Sequence, residues 1–359
     1  MKINRKKIHF KILYIFFLTL SLNIFFFSTD KIEVKAFEID NIDVSRPFEI
    51  NFDKNDVINE GFKKAFLELI LLIVKSKDQK KIDNIQLSEI KGMIDSFTIK
   101  EEEFVNEIYN VNLGVSFNKK KIFRYLENKN IFVSTPLRKK FLFIPIIIDE
   151  KKKDLLVFYD NKFFNKWNDS IKPHHLIEYI LPTKDLEDLS EIKKRYGNIE
   201  EYNFHEIIKK YNLDNSIITL IFVNNNKIRI LSRISTKDNT ILKNKTFLDV
   251  DISNEKQFSK IIKDLKIVYE DYWKSYNEIN TSIKLLLNIR IENNNNMKSS
   301  NFEKTLSKTD MIYDFYISKF DKDYTYYEII FNNSPSVFLK TMKELDYNFD
   351  TQNKVWTLK

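Results

Sequence analysis

The side chains with the widest chemical repertoire are the three histidines that follow the N-terminal segment, at positions 174, 175 and 205. His174 and His175 follow Pro173 and precede an apolar stretch that we expect to be helical. Adjacent residues of a helix point about 100° apart, so the two imidazoles do not readily chelate one metal ion. We therefore interpret them as surface residues at the start of a helix. His205, which is followed by Glu206, is expected on the exposed face of another helix.

Paired carboxylates could act as general acid and general base, and two places in the chain offer them. Glu101, Glu102 and Glu103 form a contiguous acidic run, which we interpret as a solvated turn ahead of a strand. Asp310 and Asp314 would share a face if their segment were helical, but its pattern predicts an extended chain. We predict no catalytic residue, because a hydrolase would have no constellation of acids behind it.

Phosphate and thiol chemistry are excluded more firmly. A nucleotide site needs glycines where the backbone approaches a phosphate, and the four glycines of the chain are far apart. The chain has no cysteine, which excludes disulfides, thiolate zinc sites, thiol nucleophiles and a lipid-modified cysteine anchor. A Gly-x-Ser-x-Gly nucleophile elbow is also absent. We predict no cofactor and no cofactor-binding or metal-ligating residue.

The first 36 residues have the pattern of a secretory signal. Residues 1–11 carry five lysines or arginines and no acid, and a nearly uninterrupted apolar run follows over 12–27. That run is shorter than the roughly 20 residues that span a bilayer comfortably. Val34 and Ala36 occupy the positions that a signal peptidase recognises, so we expect cleavage after Ala36. The alternative is an uncleaved inner-membrane anchor with a periplasmic body, which would be the only membrane contact.

The charge balance argues against a nucleic-acid-binding protein. Removing residues 1–36 takes away seven basic and two acidic side chains, which lowers the formal net charge from +8 to +3. Nucleic-acid-binding proteins concentrate positive charge on one face, whereas the two signs are interspersed here. The lysine runs at 119–121 and 151–153 are predicted to be solvated turns. The abundance of Lys, Asn, Ile, Phe and Tyr is typical of an AT-rich genome. From composition alone, an exported protein of an AT-rich eukaryotic parasite is therefore an alternative to a bacterial protein.

The first unit, residues 37–137, combines strands with helices. The predicted elements are a strand over 37–44, a helix over 57–73, a shorter helix over 86–94, a strand over 109–117 and a helix over 119–127. The strand over 109–117 has the clearest pattern, because apolar and polar residues alternate along it as in a half-buried antiparallel strand. Ser134, Thr135 and Pro136 indicate the boundary of the unit.

The second unit, residues 138–291, is predicted to hold a mixed sheet with helices on one side. Its predicted elements are a strand over 141–148, a strand over 155–159, helices over 176–181 and 204–211, a hairpin of strands over 217–223 and 227–234, a strand over 239–249, a helix over 255–276 and a closing strand over 283–291. Pro145 should push the end of its strand toward a sheet edge. The helix over 255–276 has the strongest amphipathic pattern in the chain.

The third unit, residues 302–359, follows a polar linker over 292–301. We predict a helical turn at 302–306, strands over 311–320 and 324–331, a helix that begins at Pro335, and a last strand over 355–358. The fold class is therefore α+β, with mixed or antiparallel sheets each packed with helices. Two larger units precede this small C-terminal strand–helix–strand module.

Aromatic side chains beyond the predicted core could form contact surfaces, because exposed aromatic residues mark protein and glycan interfaces. One group is Phe158, Phe163, Phe164 and Trp167. A second group lies on a predicted strand, where Tyr324 and Tyr326 point to one face and Tyr327 to the other. The alternative for both groups is ordinary core filling.

The layout resembles the bacterial domain of unknown function 2066 family of exported envelope proteins. The resemblance rests on the stripe Phe62, Ala65, Phe66 and Leu69, the strand over 111–117 that leads into Asn118 and a helix ending at Leu126, the segment 141–145, the aromatic group at 158–167, and the strand over 217–223 with its hairpin. It implies an exported envelope protein and supplies no catalytic residues. The C-terminal unit also looks like the small strand–helix–strand modules of envelope accessory proteins.

These observations favour a non-enzymatic accessory or adaptor protein of the bacterial periplasm that acts through protein–protein contacts. Its expected partner is another envelope protein, and we expect no nucleic-acid partner. The alternative is a periplasmic protein that binds a glycan or small ligand, or a hydrolase that uses dispersed carboxylates.

Overall fold

A computed structural model of the protein describes residues 37–279, 284–294, 296–309 and 311–359. They form several antiparallel or mixed sheets packed with helices, which confirms the predicted α+β class. No helix in these ranges is both long and apolar enough to cross a membrane. The predicted signal segment, residues 1–36, lies outside the described residues.

The N-terminal sheet has three antiparallel strands in the order β1-β3-β2. The elements of this part of the chain are β1 (Glu38–Pro47), α1 (Lys54–Ile73), α2 (Ser76–Gln79), α3 (Leu87–Met93), β2 (Ile94–Val105), β3 (Ile108–Phe117), α4 (Lys119–Asn128) and β4 (Val133–Ser134). The predicted helices and the strand over 109–117 are confirmed. β2 was not predicted, because it is an edge strand exposed along nearly its whole length.

Helix α1 packs its apolar stripe on one face of this sheet. Asp53 caps its N-terminus, because the Asp53 carboxylate accepts a hydrogen bond from the Asn55 amide at 2.8 Å. Gly61 allows the closest approach, since a Cβ there would lie 2.3 Å from Leu113 Cδ1 on β3. The buried side chains of α1 and β3 thus form one continuous core.

The central sheet is mixed, with the order β10-β9-β8-β5-β6, and β7 also pairs with β5. The elements are β5 (Lys139–Asp149), β6 (Asp154–Leu156), α5 (Lys162–Lys166), β7 (Ile177–Ile180), α6 (Leu186–Lys193), α7 (His205–Lys209), β8 (Ser216–Asn224), β9 (Lys227–Ser235), β10 (Thr240–Phe247), α8 (Glu255–Tyr276) and β11 (Glu278–Ile279). The predicted hairpin of β8 and β9 is confirmed, and the bounds of α8 agree with the prediction.

Helices cover both faces of the central sheet, so the predicted one-sided packing is wrong. Helix α8 lies on one face, and α6 and α7 lie on the other. The reason is visible in the parallel pair β5 and β8, whose residues are buried almost without interruption. A strand that is apolar on both sides needs a covering layer on both sides.

Pro145 lies inside the sheet, although a sheet edge was predicted for it. Its strand β5 pairs with β8 on one side and with β7 and β6 on the other. β7 ends opposite Leu142 and the antiparallel β6 ends opposite Ile147, so residue 145 faces a gap between them. Asn161 fills this gap, because its Nδ2 donates to the Pro145 carbonyl at 2.9 Å. The missing amide hydrogen of proline therefore leaves no ladder bond broken.

The segment over 176–181 is a strand and not the predicted helix. β7 runs parallel to the start of β5, where Lys139 pairs with Ile177 and Leu142 with Ile180. Ile177 and Tyr179 are buried, whereas Glu178 between them is exposed. This alternation is that of a half-buried strand, and the segment is too short for a helical repeat to compete with it.

The C-terminal sheet has the order β13-β14-β12-β16-β15. Its elements are β12 (Leu285–Glu292), α9 (Asn296–Lys308), β13 (Ile312–Phe320), β14 (Tyr324–Phe331), α10 (Pro335–Glu344), β15 (Phe349–Asp350) and β16 (Trp356–Leu358). β12 pairs along its whole length with β14, so its predicted place as the closing strand of the central sheet is wrong. Helix α9 begins inside the segment predicted as a linker. The domain boundaries themselves stay predictions.

Candidate protein-contact surface

The three histidines lie at the surface or at its margin. His174 Nδ1 lies 3.1 Å from Glu68 Oε2, and its ring packs edge-on against His175. His205 is exposed at the first position of α7. Among the residues that the structure describes, no three His, Cys, Asp or Glu side chains come together in a way that could hold a metal ion.

His175 is held in its neutral form. Burial and the neighbouring positive charge of Lys266 lower the pKa of His175 to about 4. Its Nδ1 accepts a hydrogen bond from the Lys172 amide at 3.3 Å, which requires that nitrogen to be unprotonated. His175 is therefore an uncharged hydrogen-bond acceptor at neutral pH.

The acidic residues considered for catalysis do not form a pair. Glu101, Glu102 and Glu103 are exposed, as predicted, but they belong to strand β2 and not to a turn. Asp314 lies on β13, as the extended prediction required, and forms an ion pair with Lys120 at the start of α4. Asp310 lies outside the described residues.

The first aromatic group belongs to the core. Phe158, Phe163, Phe164 and Trp167 are all buried, and Trp167 stacks on Phe143 with ring centroids 4.0 Å apart. A contact-surface role for this group is therefore wrong, and the core-filling alternative is confirmed.

The second aromatic group divides between the two faces of the C-terminal sheet, as predicted. Tyr327 is buried, and its hydroxyl donates to Glu303 at 2.7 Å. Tyr324 and Tyr326 lie half-buried on the opposite face. The Arg290 guanidinium lies 4.4 Å from the Tyr324 ring, and the Lys319 ammonium lies 4.9 Å from the Tyr326 ring. This tyrosine face is thus partly exposed and carries stacked cations.

A row of charged residues is buried along helix α8. Lys266, Glu270 and Lys274 are four residues apart on one face, and each is at most 6% exposed. The Glu270 carboxylate accepts hydrogen bonds from the amides of Leu176 and Ile177 at 2.9 and 3.1 Å. Burial raises the pKa of Glu270, and it lowers the pKa of Lys266 to about 8. These shifts follow from desolvation, and the hydrogen bonds make the row a structural element that holds β7 against α8.

The same helix caps two helices of the N-terminal part. Lys274 donates to the Leu71 and Val74 carbonyls at the end of α1. Asp271 accepts from the amide and hydroxyl of Ser76, at the start of α2. Each charge opposes the partial charge of the helix end that it contacts, which is the stabilising arrangement. Helix α8 therefore joins the N-terminal and central parts by polar contacts as well as by its apolar stripe.

Exposed apolar side chains cluster at the end of the β2–β3 hairpin. We call this cluster the hairpin tip, and it consists of Phe48, Ile50, Phe104, Val105 and Ile108. The exposed fractions of these side chains are 55%, 104%, 57%, 48% and 41%, in that order. The Phe48 amide donates to the Glu107 carbonyl at 2.8 Å, which ties the loop after β1 to the hairpin. The Phe48 and Phe104 rings meet edge to face at 5.0 Å.

The turn of this hairpin has two residues. Asn106 and Glu107 both have positive φ, of 51° and 59°, which is the geometry of a type I′ turn. This turn matches the twist of the flanking strands and places Val105 and Ile108 directly opposite each other. Phe104, Val105 and Ile108 are thus held on paired strand ends, whereas Phe48 and Ile50 lie on the loop that follows β1.

Acidic residues surround the hairpin tip. Glu101, Glu102 and Glu103 precede it on β2, and Glu107 lies in the turn. The negative charge of Glu102 is balanced by a neighbour, because Lys54 Nζ lies 2.7 Å from its carboxylate. The Tyr109 hydroxyl also donates a hydrogen bond to this carboxylate at 2.9 Å. Both hydrogen bonds lower the pKa of Glu102, and the one from Lys54 has the larger effect. The tip is therefore an apolar centre with an acidic margin, which favours a partner with apolar and basic groups.

Sequence reasoning did not find this surface. A usable signal was present, since Val105 and Ile108 flank a two-residue Asn-Glu turn directly before the clearest predicted strand. The acidic run at 101–103 hid it, because consecutive charges resemble a solvated turn more than a strand.

No protein-family model matches the chain. A search of curated proteins gives no match either.

Proposed function

We propose that the protein is a non-enzymatic accessory protein of the bacterial cell envelope that works by contact with another envelope protein. The observation that carries this proposal is the hairpin tip. Five apolar side chains, each more than 40% exposed, lie on the paired ends of β2 and β3 and on the loop that follows β1, and acids border them. Exposed apolar patches of this kind on a protein surface commonly mark protein-contact sites.

The proposed compartment is the periplasm, with cleavage of the signal after Ala36. The basic and apolar pattern of residues 1–36 supports export, and the absence of cysteine is compatible with an oxidising compartment. An inner-membrane anchor with a periplasmic body is the alternative. The proposed family is the one that the sequence resembles, the bacterial domain of unknown function 2066 family.

A second candidate function is the binding of a glycan or small ligand, including the hydrolysis of such a ligand by dispersed carboxylates. The tyrosine face of the C-terminal sheet favours the binding part of this alternative. Tyr316, Tyr324 and Tyr326 offer flat apolar rings with polar edges, and Tyr316 is 48% exposed. Arg290 and Lys319 already stack on two of these rings, which leaves them less available than the hairpin tip.

The test is chemical crosslinking of intact cells that express the full chain with a C-terminal tag, followed by mass spectrometry of the proteins that co-purify. The informative variant is Ile50→Asn with Phe104→Thr, which removes apolar surface from the tip and keeps a β-branched residue on β2. The matched control is Leu186→Asn, because Leu186 is an apolar residue that is 80% exposed far along the chain on α6.

We expect one abundant envelope protein with the wild type and with the control, and its loss with the double variant. Circular dichroism of each purified variant verifies that the fold persists. A partner that is retained by the double variant, or no partner with the wild type, would contradict the proposal. In the second case, a glycan array probed with the wild type and with Tyr324→Ala would test the alternative.

A further inference from the structure

Strand β2 is one of the two edge strands of the N-terminal sheet, and β1 is the other. The only sheet neighbour of β2 among the described residues is β3, so the backbone amides and carbonyls of its other side are open to solvent. All residues from 100 to 105 are exposed. Long exposed edges invite pairing with another strand, and native proteins protect them with lysines, bulges or short length.

Residues 101–105 are the least protected part of this edge. A register shift between Ile99 and Glu101 makes Lys100 the extra residue of a bulge, and from Glu101 to Val105 the pairing with β3 is regular. Lys100 forms an ion pair with Asp40 at 2.7 Å. By comparison, the edge strand β10 of the central sheet carries Lys243 and Lys245 within its paired length. Residues 101–105 thus offer an even edge with no lysine on it.

The side chains along this edge determine the chemistry of an added strand. Glu101, Glu103 and Val105 share the face on which β3 presents Asn112, Asn110 and Ile108. Phe104 lies on the opposite face, beside Tyr109. Among the described residues, Glu102 has Lys54 as its ion-pair partner, whereas Glu101 and Glu103 have none.

We propose that residues 101–105 of β2 bind an extended, basic segment of a partner protein by strand addition. Lysine or arginine side chains of that segment lie beside Glu101 and Glu103, and an apolar side chain lies beside Phe104. Cross-strand pairs of opposite charge stabilise a sheet, whereas like charges destabilise it. A second copy of this chain is disfavoured as the occupant, because antiparallel pairing of two β2 edges brings glutamates together.

This inference rests on the proposed function, since it names the chemistry of the partner that the hairpin tip contacts. The probe is a fluorescein-labelled peptide of alternating lysine and valine, and its binding to the purified full chain is measured by fluorescence anisotropy. The control peptide has the same charge, but prolines replace alternate valines, so it cannot form a continuous hydrogen-bonded ladder. The test variant is Glu101→Gln with Glu103→Gln, and its matched control is Glu187→Gln with Glu191→Gln on α6.

We expect the strand-forming peptide to bind at least about tenfold more tightly than the proline peptide. The test variant should weaken binding about fivefold, the effect of two cross-strand ion pairs of ordinary strength, and the control variant should leave it unchanged. Hydrogen exchange should slow at the amides of residues 101–105 when the peptide is bound.

Equal binding of the two peptides, or unchanged exchange at residues 101–105, would overturn the inference. It would also be overturned if the glutamine variant self-associates without peptide and still binds the peptide normally, because the glutamates would then serve only to prevent edge pairing. Peptide binding with no crosslinked partner in cells would refute the proposed function and leave the strand site standing. If the cells yield a partner whose capture depends on the hairpin tip, but the purified chain does not bind the peptide, the strand site is refuted and the proposed function stands.

Discussion

Replacing Glu270 by alanine tests whether the buried charged row on α8 holds the central part of the protein together. Its carboxylate accepts from the amides of Leu176 and Ile177, and it lies between Lys266 and Lys274 on the same helix face. Alanine removes both acceptors and the only negative charge of that row. The two amides and the two ammonium groups would remain buried.

The expected loss is about 3–5 kcal/mol in the free energy of unfolding. Each amide left without an acceptor costs about 1–3 kcal/mol, and the Coulomb attraction between Glu270 and the two lysines is lost as well. The two contributions overlap, because part of the cost is relieved when water enters the space left by the side chain. Glu270→Gln keeps one acceptor oxygen and should therefore lose less than alanine.

The assay is urea unfolding at pH 7, followed by tryptophan fluorescence. Trp167 and Trp273 are buried, and Trp273 lies on α8 itself, so the signal reports the region that is perturbed. Asp264→Ala is the matched control, because Asp264 is an acid on the same helix that pairs with Lys245 at 3.5 Å near the surface. That exposed pair should contribute at most about 1 kcal/mol.

A loss of less than about 1 kcal/mol for Glu270→Ala, equal to that of the control, would refute the reasoning. It would mean that the two amides find other acceptors and that the two lysines reach solvent. A loss for Glu270→Gln as large as for alanine would show that the charge matters and the hydrogen bonds do not.

Three further predictions concern single sites. Gly61→Ala should destabilise the protein by about 1 kcal/mol in urea unfolding, because overpacking against buried Leu113 costs about 1–3 kcal/mol and the helix gains about 1 kcal/mol from alanine; a stabilised variant would show that the core has room. The pKa of His175 is lowered to about 4, so the unfolded chain binds the proton more readily and stability should fall as pH falls from 6.5 toward 4. His175→Gln should flatten that fall, and parallel curves for variant and wild type would contradict the burial of the imidazole. The pKa of Lys266 is lowered to about 8, so the stability of the wild type should rise relative to Lys266→Met as pH increases from 8 toward 10.5, when only the unfolded chain keeps the proton. A difference between the two proteins that does not change with pH would show that the ammonium is hydrated.

The elements that the sequence predicted well are those whose pattern is local. Helix α8 was predicted at its observed bounds, Glu255–Tyr276, because one continuous apolar stripe faces the core over its whole length. Strand β3 has the same advantage, since every second residue is buried. In both cases, the burial of each residue follows from its position in a single repeating pattern.

The elements that were missed depend on partners elsewhere in the chain. β7 has only four residues, too few for its alternating burial to be recognised in the sequence, and its pairing with β5 makes it a strand. β12 has an ordinary alternating pattern, but the pattern contains nothing that selects β14 over β9 as its neighbour. The acidic edge β2 has no buried face from which a period could be recognised.

The candidate site was the least accessible to sequence reasoning. Phe48 and Phe104 are 56 positions apart in the chain, and their contact exists only because β1 and β2 flank β3. The aromatic residues that were considered instead, such as Trp167, proved to be core residues. Exposure depends on what the rest of the chain covers, and a sequence pattern does not contain that information.

The capping of α1 and α2 by α8 has a consequence for the time course of folding. Lys274 and Asp271 lie 203 and 195 positions after the groups that they cap. During synthesis, the end of α1 therefore stays incomplete until more than half of the chain's length has followed it. Closing such long loops slows folding, because their entropy cost must be met before the contacts form. The N-terminal part should thus remain loosely structured and protease-sensitive until α8 arrives, and then become protected together with the central sheet in a single late step.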